Sequence, residues 1–374
     1  AYMIYTSGTT GAPKGVQISN AAFASAVRST RAALGISAAT TTLCVSPFHF
    51  DGSYANLFPT LASGGMVVIR PREALLFPRS FFSTIAKEGV TYSGFTPSYL
   101  RLLLASPQIS TLGDTSLGMI ALGGEAISVS DLRSLWASAP RLRVFNRYGP
   151  TETTITVTNV ELTLQEIDGG PVPIGHPHPG VTFALVDDRD RVIEEANEAG
   201  ELYIGGVQLM DGYWANPDLT RQVMRSDVVS GETMYRTGDL VYRDERGAYI
   251  YVDRLDRVVK RSGVRISLVE LSASMNALDE VAAAVCSTYD HEGELAIVAF
   301  VVPTVEVTPL DLRRASARLI PENMLPDRFE LVGAMPLNQS NQLDETRLLA
   351  EAGLKRHNPG PTPPKAVDDQ ANDG

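Results

Sequence analysis

The stretch Tyr5-Thr6-Ser7-Gly8-Thr9-Thr10-Gly11-Ala12-Pro13-Lys14-Gly15 crowds hydroxyl side chains, three glycines and one lysine into a single turn-forming segment. Glycines let backbone N–H groups turn toward an anion, hydroxyls add donors, and Lys14 supplies one positive charge, so the segment can grip a polyphosphate. It is not the Walker arrangement, in which Ser or Thr follows the lysine, because Gly15 follows it here. A second cluster is Asn146-Arg147-Tyr148-Gly149-Pro150-Thr151-Glu152-Thr153-Thr154. There Tyr148 offers a flat ring for stacking, Thr151 a hydroxyl for a phosphate, and Glu152 a hard carboxylate suited to Mg²⁺ or, more plainly, a solvated turn. In Tyr235-Arg236-Thr237-Gly238-Asp239-Leu240 the carboxylate of Asp239 is placed to accept from a ribose diol.

These residues need elements to hold them. Ala1-Tyr2-Met3-Ile4 reads as the end of a buried strand leading into the glycine-rich segment. Helical spacing over 20–35, with Ser19 or Asn20 as N-cap and Gly35 as stop, predicts the next helix. A strand at Thr42–Ser46, a turn at Phe48–Ser53, a helix at Tyr54–Ala62 and a strand at Met66–Ile69 follow. Helices at Phe81–Glu88, Pro97–Ala105 and Ser128–Ala139 then alternate with strands at Val90–Gly94, Gly118–Leu122 and Leu142–Phe145. Such alternation predicts an α/β fold, a mostly parallel sheet covered by helices, with ligands at the carboxyl ends of the strands. After Gly170 short strands at Thr182–Val186, Gly200–Gly206, Met234–Tyr242 and Ala248–Val252 suggest a small antiparallel or barrel-like subdomain. A third unit, with a helix at Leu268–Leu278, a strand at Glu294–Val302 and a helix at Pro309–Leu319, begins near Asp256.

With 374 residues, 44% of them apolar and 20% charged, the chain has enough material for two or three domains and a large core. A net charge of −11 argues against nucleic acid and gives no basic patch for an anionic membrane. Cys44 and Cys286 sit far apart in apolar surroundings and read as reduced, buried thiols of a cytoplasmic protein. The chain has no initiator Met and opens inside an expected strand, so a segment upstream is expected.

The ordered motifs resemble the adenylate-forming (AMP-binding) superfamily, and most of all adenylation domains of the nonribosomal peptide synthetase type. Besides the three clusters above, Phe50-Asp51-Gly52-Ser53, Gly200-Glu201-Leu202, Gly212-Tyr213-Trp214 and Asn323-Met324-Leu325-Pro326 match in order. The resemblance implies a large core of helix-covered sheets over 1–255, including a β-rich subdomain at about 171–255. It also implies a mobile α+β C-terminal domain over 256–356, and the polar tail 357–374 has too little apolar content to fold.

Carried over residue by residue, the resemblance assigns Thr6, Ser7, Gly8, Thr9, Thr10, Gly11 and Lys14 to the β- and γ-phosphates of ATP. Gly123, Gly124 and Glu125 lie beside adenine, Asn146, Tyr148 and Gly149 at the base, Thr151 at the α-phosphate and Glu152 on Mg²⁺. Asp239 holds the ribose, with Arg254 beside it, Asp256 is the hinge, and Lys260 and Gly263 belong to the face that enters the site for thioester formation. Asp51 falls where amino-acid-activating members keep an aspartate for the substrate ammonium, unless it only caps the helix at Tyr54. Gly52, Ala55, Gly94, Ala121, Gly123, Arg147, Ile155 and Thr156 would line the acyl pocket. Arg147 would either pair with a substrate carboxylate or brace Asp51.

The expected reaction is ATP-dependent activation of an amino acid as aminoacyl-AMP, followed by transfer to the phosphopantetheine thiol of a peptidyl or acyl carrier protein. An acyl-CoA ligase of the same fold and a catalytically impaired remnant that binds nucleotide or a partner are the alternatives. The last is motivated by Pro336-Leu337-Asn338-Gln339-Ser340-Asn341-Gln342-Leu343-Asp344, where Gln342 stands in place of the family's adenylation lysine. Loss of that charge is expected to weaken adenylate formation by ~10²–10³-fold.

Overall fold

The computed structural model describes residues 1–6, 13–167, 170–226, 228–229, 231–255, 258–261, 264–292, 294–337 and 343–356. The chain divides into two compact units, Ala1–Asp256 and Arg257–Gly374. In the first unit β1 (Tyr2–Thr6) and β2 (Lys14–Ile18) form a hairpin with Thr6 opposite Lys14. The opening stretch is therefore not the end of a buried strand. Among the described residues β1 has β2 as its one neighbour, and it buries Ile4 while Met3 and Tyr5 are exposed. The helix Asn20–Leu34 starts where the Ser19 side chain accepts from the Ala22 N–H at 3.0 Å, and stops at Gly35, whose φ of 70° suits a residue without a side chain.

From Thr41 onward strands and helices take turns. β3 (Thr41–Cys44), β4 (Met66–Ile69), β5 (Tyr92–Phe95), β6 (Met119–Gly123), β7 (Arg143–Tyr148) and β8 (Thr158–Leu162) make one sheet in the order β4-β3-β5-β6-β7-β8. It is parallel except for β8, which runs against β7. The two-residue alternation of strand side chains divides the apolar residues between two faces. Ile120, Leu122 and Val144 pack with Phe81, Ile85, Tyr99 and Trp136 of the helices on one side, whereas Met119, Ala121 and Phe145 pack with Leu34, Ile36 and Tyr92 on the other. The carboxyl ends of β5, β6 and β7 thus open along one edge of a well-filled sheet.

A second, antiparallel sheet follows, built from β9 (Val181–Val186), β10 (Ala199–Gly206), β12 (Met224–Arg225), β13 (Met234–Arg243) and β14 (Tyr249–Arg254). The two-residue β11 (Gly212–Tyr213) leaves it to pair with β2, so Tyr213 lies opposite Val16. In the second unit the hairpin β15 (Val258–Arg261) and β16 (Val264–Ser267) precedes the helix Leu268–Asn276 and the long pair β17 (Val281–His291) and β18 (Glu294–Pro303). β19 (Arg328–Leu331) runs parallel to β18, and the helix Pro309–Ser316 starts in a capping box between Thr308 and Asp311. That helix ends three residues short of the span the periodicity suggests, in a turn. Among the described residues no helix is long and apolar enough to cross a membrane.

Candidate active site

The loops after β5, β6 and β7 and the short 3₁₀ segment Asp51–Ser53 enclose a cleft of ≈ 50 Å³. Asp51, Gly52, Ala55, Gly123, Gly124, Arg147, Gly149, Ile155 and Thr156 line it, with Ser46, Phe50, Phe95 and Thr96. Gly94 and Ala121 sit just beneath, on β5 and β6.

Asp51 is 5% exposed and its Oδ2 has no hydrogen-bond partner. It does not cap the helix Tyr54–Ala62, whose N-cap position carries no side-chain bond. Burial pushes its carboxyl up to about 6 and the neighbouring Glu152 charge adds to the rise, while the Thr151 hydroxyl and the Gly52 amide offset part of it. The Tyr2 hydroxyl is likewise buried without a partner, and its pKa is raised by burial and then by the Asp51 charge.

Arg147 is 6% exposed and reaches from β7 across the sheet. Its Nη1 donates to Asn56 Oδ1 and to the Tyr92 hydroxyl, each at 3.2 Å, and its Nη2 to the Ala121 carbonyl at 3.4 Å. Gly94 makes room for this cluster, because a Cβ there would come within 2.1 Å of Asn56 Oδ1 and 2.5 Å of Arg147 Nη2.

The loop after β7 is strained and clamped. Thr154 and the β-branched Ile155 adopt φ of 62° and 71°, a region that L residues with branched side chains rarely enter. The buried Gln208 holds them: its Nε2 donates to the carbonyls of Thr153, Thr154 and Thr156, and the Thr154 hydroxyl donates to the Gln208 carbonyl at 2.6 Å. Gln208 Oε1 in turn accepts from His178 Nδ1 at 3.1 Å, so His178 Nε2 is the acceptor for Asn159 Nδ2. Gly149 is obligatory in this loop, since a Cβ would lie 2.6 Å from the Thr156 Cα.

A second group gathers on β7, β13 and β14. The Tyr148 hydroxyl donates to Asp239 Oδ2 at 2.5 Å, and Arg254 Nη1 donates to Asp239 Oδ1 at 3.3 Å and to the Thr237 carbonyl at 2.8 Å. Burial and the Asp239 charge hold the Tyr148 phenol well above its usual range. Nearby, the Tyr213 hydroxyl donates to Glu152 Oε1 at 2.7 Å, and the Lys14 ammonium lies 5.1 Å above the Tyr213 ring. Asn146 Nδ2 donates to the Pro173 carbonyl, and Glu125 Oε2 accepts from the Ser98 N–H at 2.9 Å and the Ser98 hydroxyl at 2.5 Å while its Oε1 is buried without a partner.

The structure therefore brings Lys14, Glu152, Thr151 and Asp51 into one neighbourhood and Tyr148, Asp239 and Arg254 into another. Thr6 lies at the end of β1, and Lys260 lies in β15 of the other unit. Ser7, Gly8, Thr9, Thr10, Gly11, Asp256, Gly263, Gln342 and the tail 357–374 lie outside the described residues. Sequence reading gave no role to Tyr2, Asn56, Tyr92, Gln208 or Tyr213. A Gln or Asn inside an apolar run was the signal for two of these, since a buried amide is costly unless bonded. Cys44 and Cys286 are buried free thiols, pushed up by burial to about 11 and about 12, which suits neither to nucleophilic work.

Comparison with known proteins accords with this geometry. Residues 1–214 match the AMP-binding enzyme family, to which the chain belongs. It is 31% identical over 359 residues to the D-alanine--D-alanyl carrier protein ligase of Lacticaseibacillus casei, a match covering 94% of this chain and 70% of that protein. It is 35% identical over 364 residues to surfactin synthase subunit 1 of Bacillus subtilis, covering 94% of this chain and 10% of that one. A solved four-domain nonribosomal peptide synthetase bound to AMP and glycine superposes with a TM-score of 0.80 at 27% identity, over 92% of this chain and 25% of that one. Within its family the chain is an adenylate-forming domain of the nonribosomal peptide synthetase type, an ATP-dependent, AMP-forming ligase.

Proposed function

We propose that this domain activates the carboxylate of an amino acid with ATP and passes the acyl group to the phosphopantetheine thiol of a carrier protein. The observation that carries the choice of an amino acid is Asp51, a buried carboxylate in the acyl cleft with an unpartnered oxygen. A carboxylate oxygen buried without a donor is costly, so a site that keeps one is suited to a ligand that brings an ammonium. Carrier-protein loading is favoured over CoA by the carrier protein ligase among the relatives.

In this reading a carboxylate oxygen of the amino acid attacks the α-phosphorus, the bond to pyrophosphate breaks, and the aminoacyl-AMP is then attacked at its acyl carbon by the thiol with loss of AMP. Positioning and charge neutralisation supply most of the acceleration. Thr6 to Lys14 and Thr151 take the phosphates, Tyr148 and Asn146 the base, Gly123 to Glu125 its edge, and Asp239 with Arg254 the ribose. Asp51 fixes the ammonium, and Lys260 serves the thioester half-reaction after rotation at Asp256. Among the described residues no three His, Cys, Asp or Glu side chains gather as a metal cage. The fit is instead that of Mg²⁺, which takes most of its ligands from phosphates and water: Glu152 is buried, bonded at Oε1, and its Oε2 makes no hydrogen bond among the described residues. Mg²⁺ held there would neutralise charge on the leaving pyrophosphate.

The test is amino-acid-dependent ATP–pyrophosphate exchange across a panel of amino acids. Wild type should exchange with at least one of them, and Asp51→Ala should lower that exchange by about 10³-fold or more. Unchanged exchange in the variant would remove the ammonium from Asp51.

A further inference from the structure

We propose that the side chain of the activated amino acid is acidic and that Arg147 is its counter-ion. The inference rests on the adenylation reading above and extends it to the substrate class. Arg147 carries a full positive charge at a site that is almost completely buried. Its partners are an amide oxygen, a phenol and a backbone carbonyl, all formally neutral. Its Nε is buried and makes no hydrogen bond, and among the described residues the guanidinium forms no ion pair.

An uncompensated buried cation is costly, and proteins keep one where a ligand completes it. The neighbours are arranged to hold the group rather than to neutralise it. The Tyr92 hydroxyl donates to Asn56 Oδ1 at 3.1 Å, and Asn56 Nδ2 donates to the Gly94 carbonyl at 2.9 Å, so the acceptor that steadies Nη1 is itself fixed from two sides. Burial keeps the Tyr92 phenol protonated, so it supplies no negative charge. Gly94 leaves room for Nη2, on which any larger residue would press.

Asp51 is not the missing partner, because no ion pair joins them. Both residues line the same cleft, where one carboxylate oxygen and one guanidinium nitrogen make no hydrogen bond. That pattern is complementary to an amino acid with an ammonium at one end and a side-chain carboxylate at the other, which can accept from the planar fork of Arg147 through two oxygens.

The experiment is equilibrium titration of the chain with aspartyl, asparaginyl and leucyl sulfamoyl-adenosines, non-reactive mimics of the adenylate, and with AMP alone. Aspartate and asparagine differ in charge but not in shape, so their ratio isolates the guanidinium. The aspartyl compound should bind at least tenfold more tightly than the other two. Arg147→Met should bring the aspartyl-to-asparaginyl ratio to about one, and Arg147→Lys should keep part of it. Equal binding of the aspartyl and asparaginyl compounds to wild type, or a preference for leucyl, with AMP still bound, overturns the proposal. The wild-type ratio decides the matter even if a variant fails to fold. A chain that binds neither AMP nor any of the three compounds overturns the adenylation reading itself, and the inference with it.

Discussion

Two parts of the first unit, each built around a buried aspartate, treat charge in opposite ways. Around Asp239 every charge is answered within the protein, since Tyr148 and Arg254 both donate to its carboxylate and Arg254 is also anchored on the Thr237 carbonyl. In the cleft beneath Asp51 a carboxylate oxygen and an arginine Nε are left unanswered although both residues are equally buried. The difference separates a region that can be complete before ligand arrives from one whose completion depends on the ligand. The first suits a group common to all reactions of this class, the nucleotide, and the second suits the group that varies, the acyl substrate.

The largest effect is expected where every charge is satisfied. Asp239→Ala removes the acceptor for the Tyr148 hydroxyl and one of the acceptors for Arg254, which should cost about 2–3 kcal/mol of stability in urea unfolding. A loss below about 0.5 kcal/mol would mean that the pairing there is incidental. Next in size is the clamp between the two regions. Gln208→Ala removes a donor from the Thr153, Thr154 and Thr156 carbonyls and loosens the strained Thr154–Ile155 pair, with an expected loss of about 2 kcal/mol and a matching fall in AMP affinity. Stability retained within 0.5 kcal/mol would show that the loop holds its shape without the amide. The smallest effect concerns the charge that the sequence lacks. Gln342→Lys should raise single-turnover adenylate formation by about tenfold while shifting ATP affinity much less, because the added cation acts mainly when charge develops on phosphorus. A wild-type rate that the lysine leaves unmoved would mean that another cation supplies this role.

Much of the architecture was legible because the signals were local. Ser19 and Gly35 bracket the first long helix as their types require, and the alternation of apolar strands with helices from Thr41 to Phe145 is the alternation found in the sheet. What escaped was set by distant partners. β2, β8 and β17 have unremarkable sequences that become strands because β1, β7 and β18 lie alongside them. The same holds in the site. Motif order located Asp51, Glu152 and Asp239, whereas Tyr213 reaches Glu152 from 61 residues away and Gln208 grips the Thr154 loop from 54, distances at which spacing carries no information. That Arg147 stands without a counter-ion is likewise visible only once β5, β6 and the helix Tyr54–Ala62 are assembled around it.

Asp51 keeps one buried oxygen without a donor, a place the substrate ammonium can fill, and Asp51→Asn removes the charge that would receive it. The folded-state pKa, about 6, lies above the ordinary value of 3.8, so the folded chain binds this proton more tightly than the unfolded one. Stability from this group is therefore present at low pH and is lost as pH rises from about 4 through about 6, after which ionised Asp51 costs the fold about 3 kcal/mol. The neutral, isosteric asparagine escapes that cost. Measured by urea unfolding at pH 8 and pH 4 beside titration with an aminoacyl sulfamoyl-adenosine at pH 8, Asp51→Asn should gain about 2–3 kcal/mol at pH 8, gain little at pH 4, and bind the adenylate mimic at least a hundredfold more weakly. A variant that is less stable than wild type at pH 8, or that binds the mimic as tightly, would contradict the account.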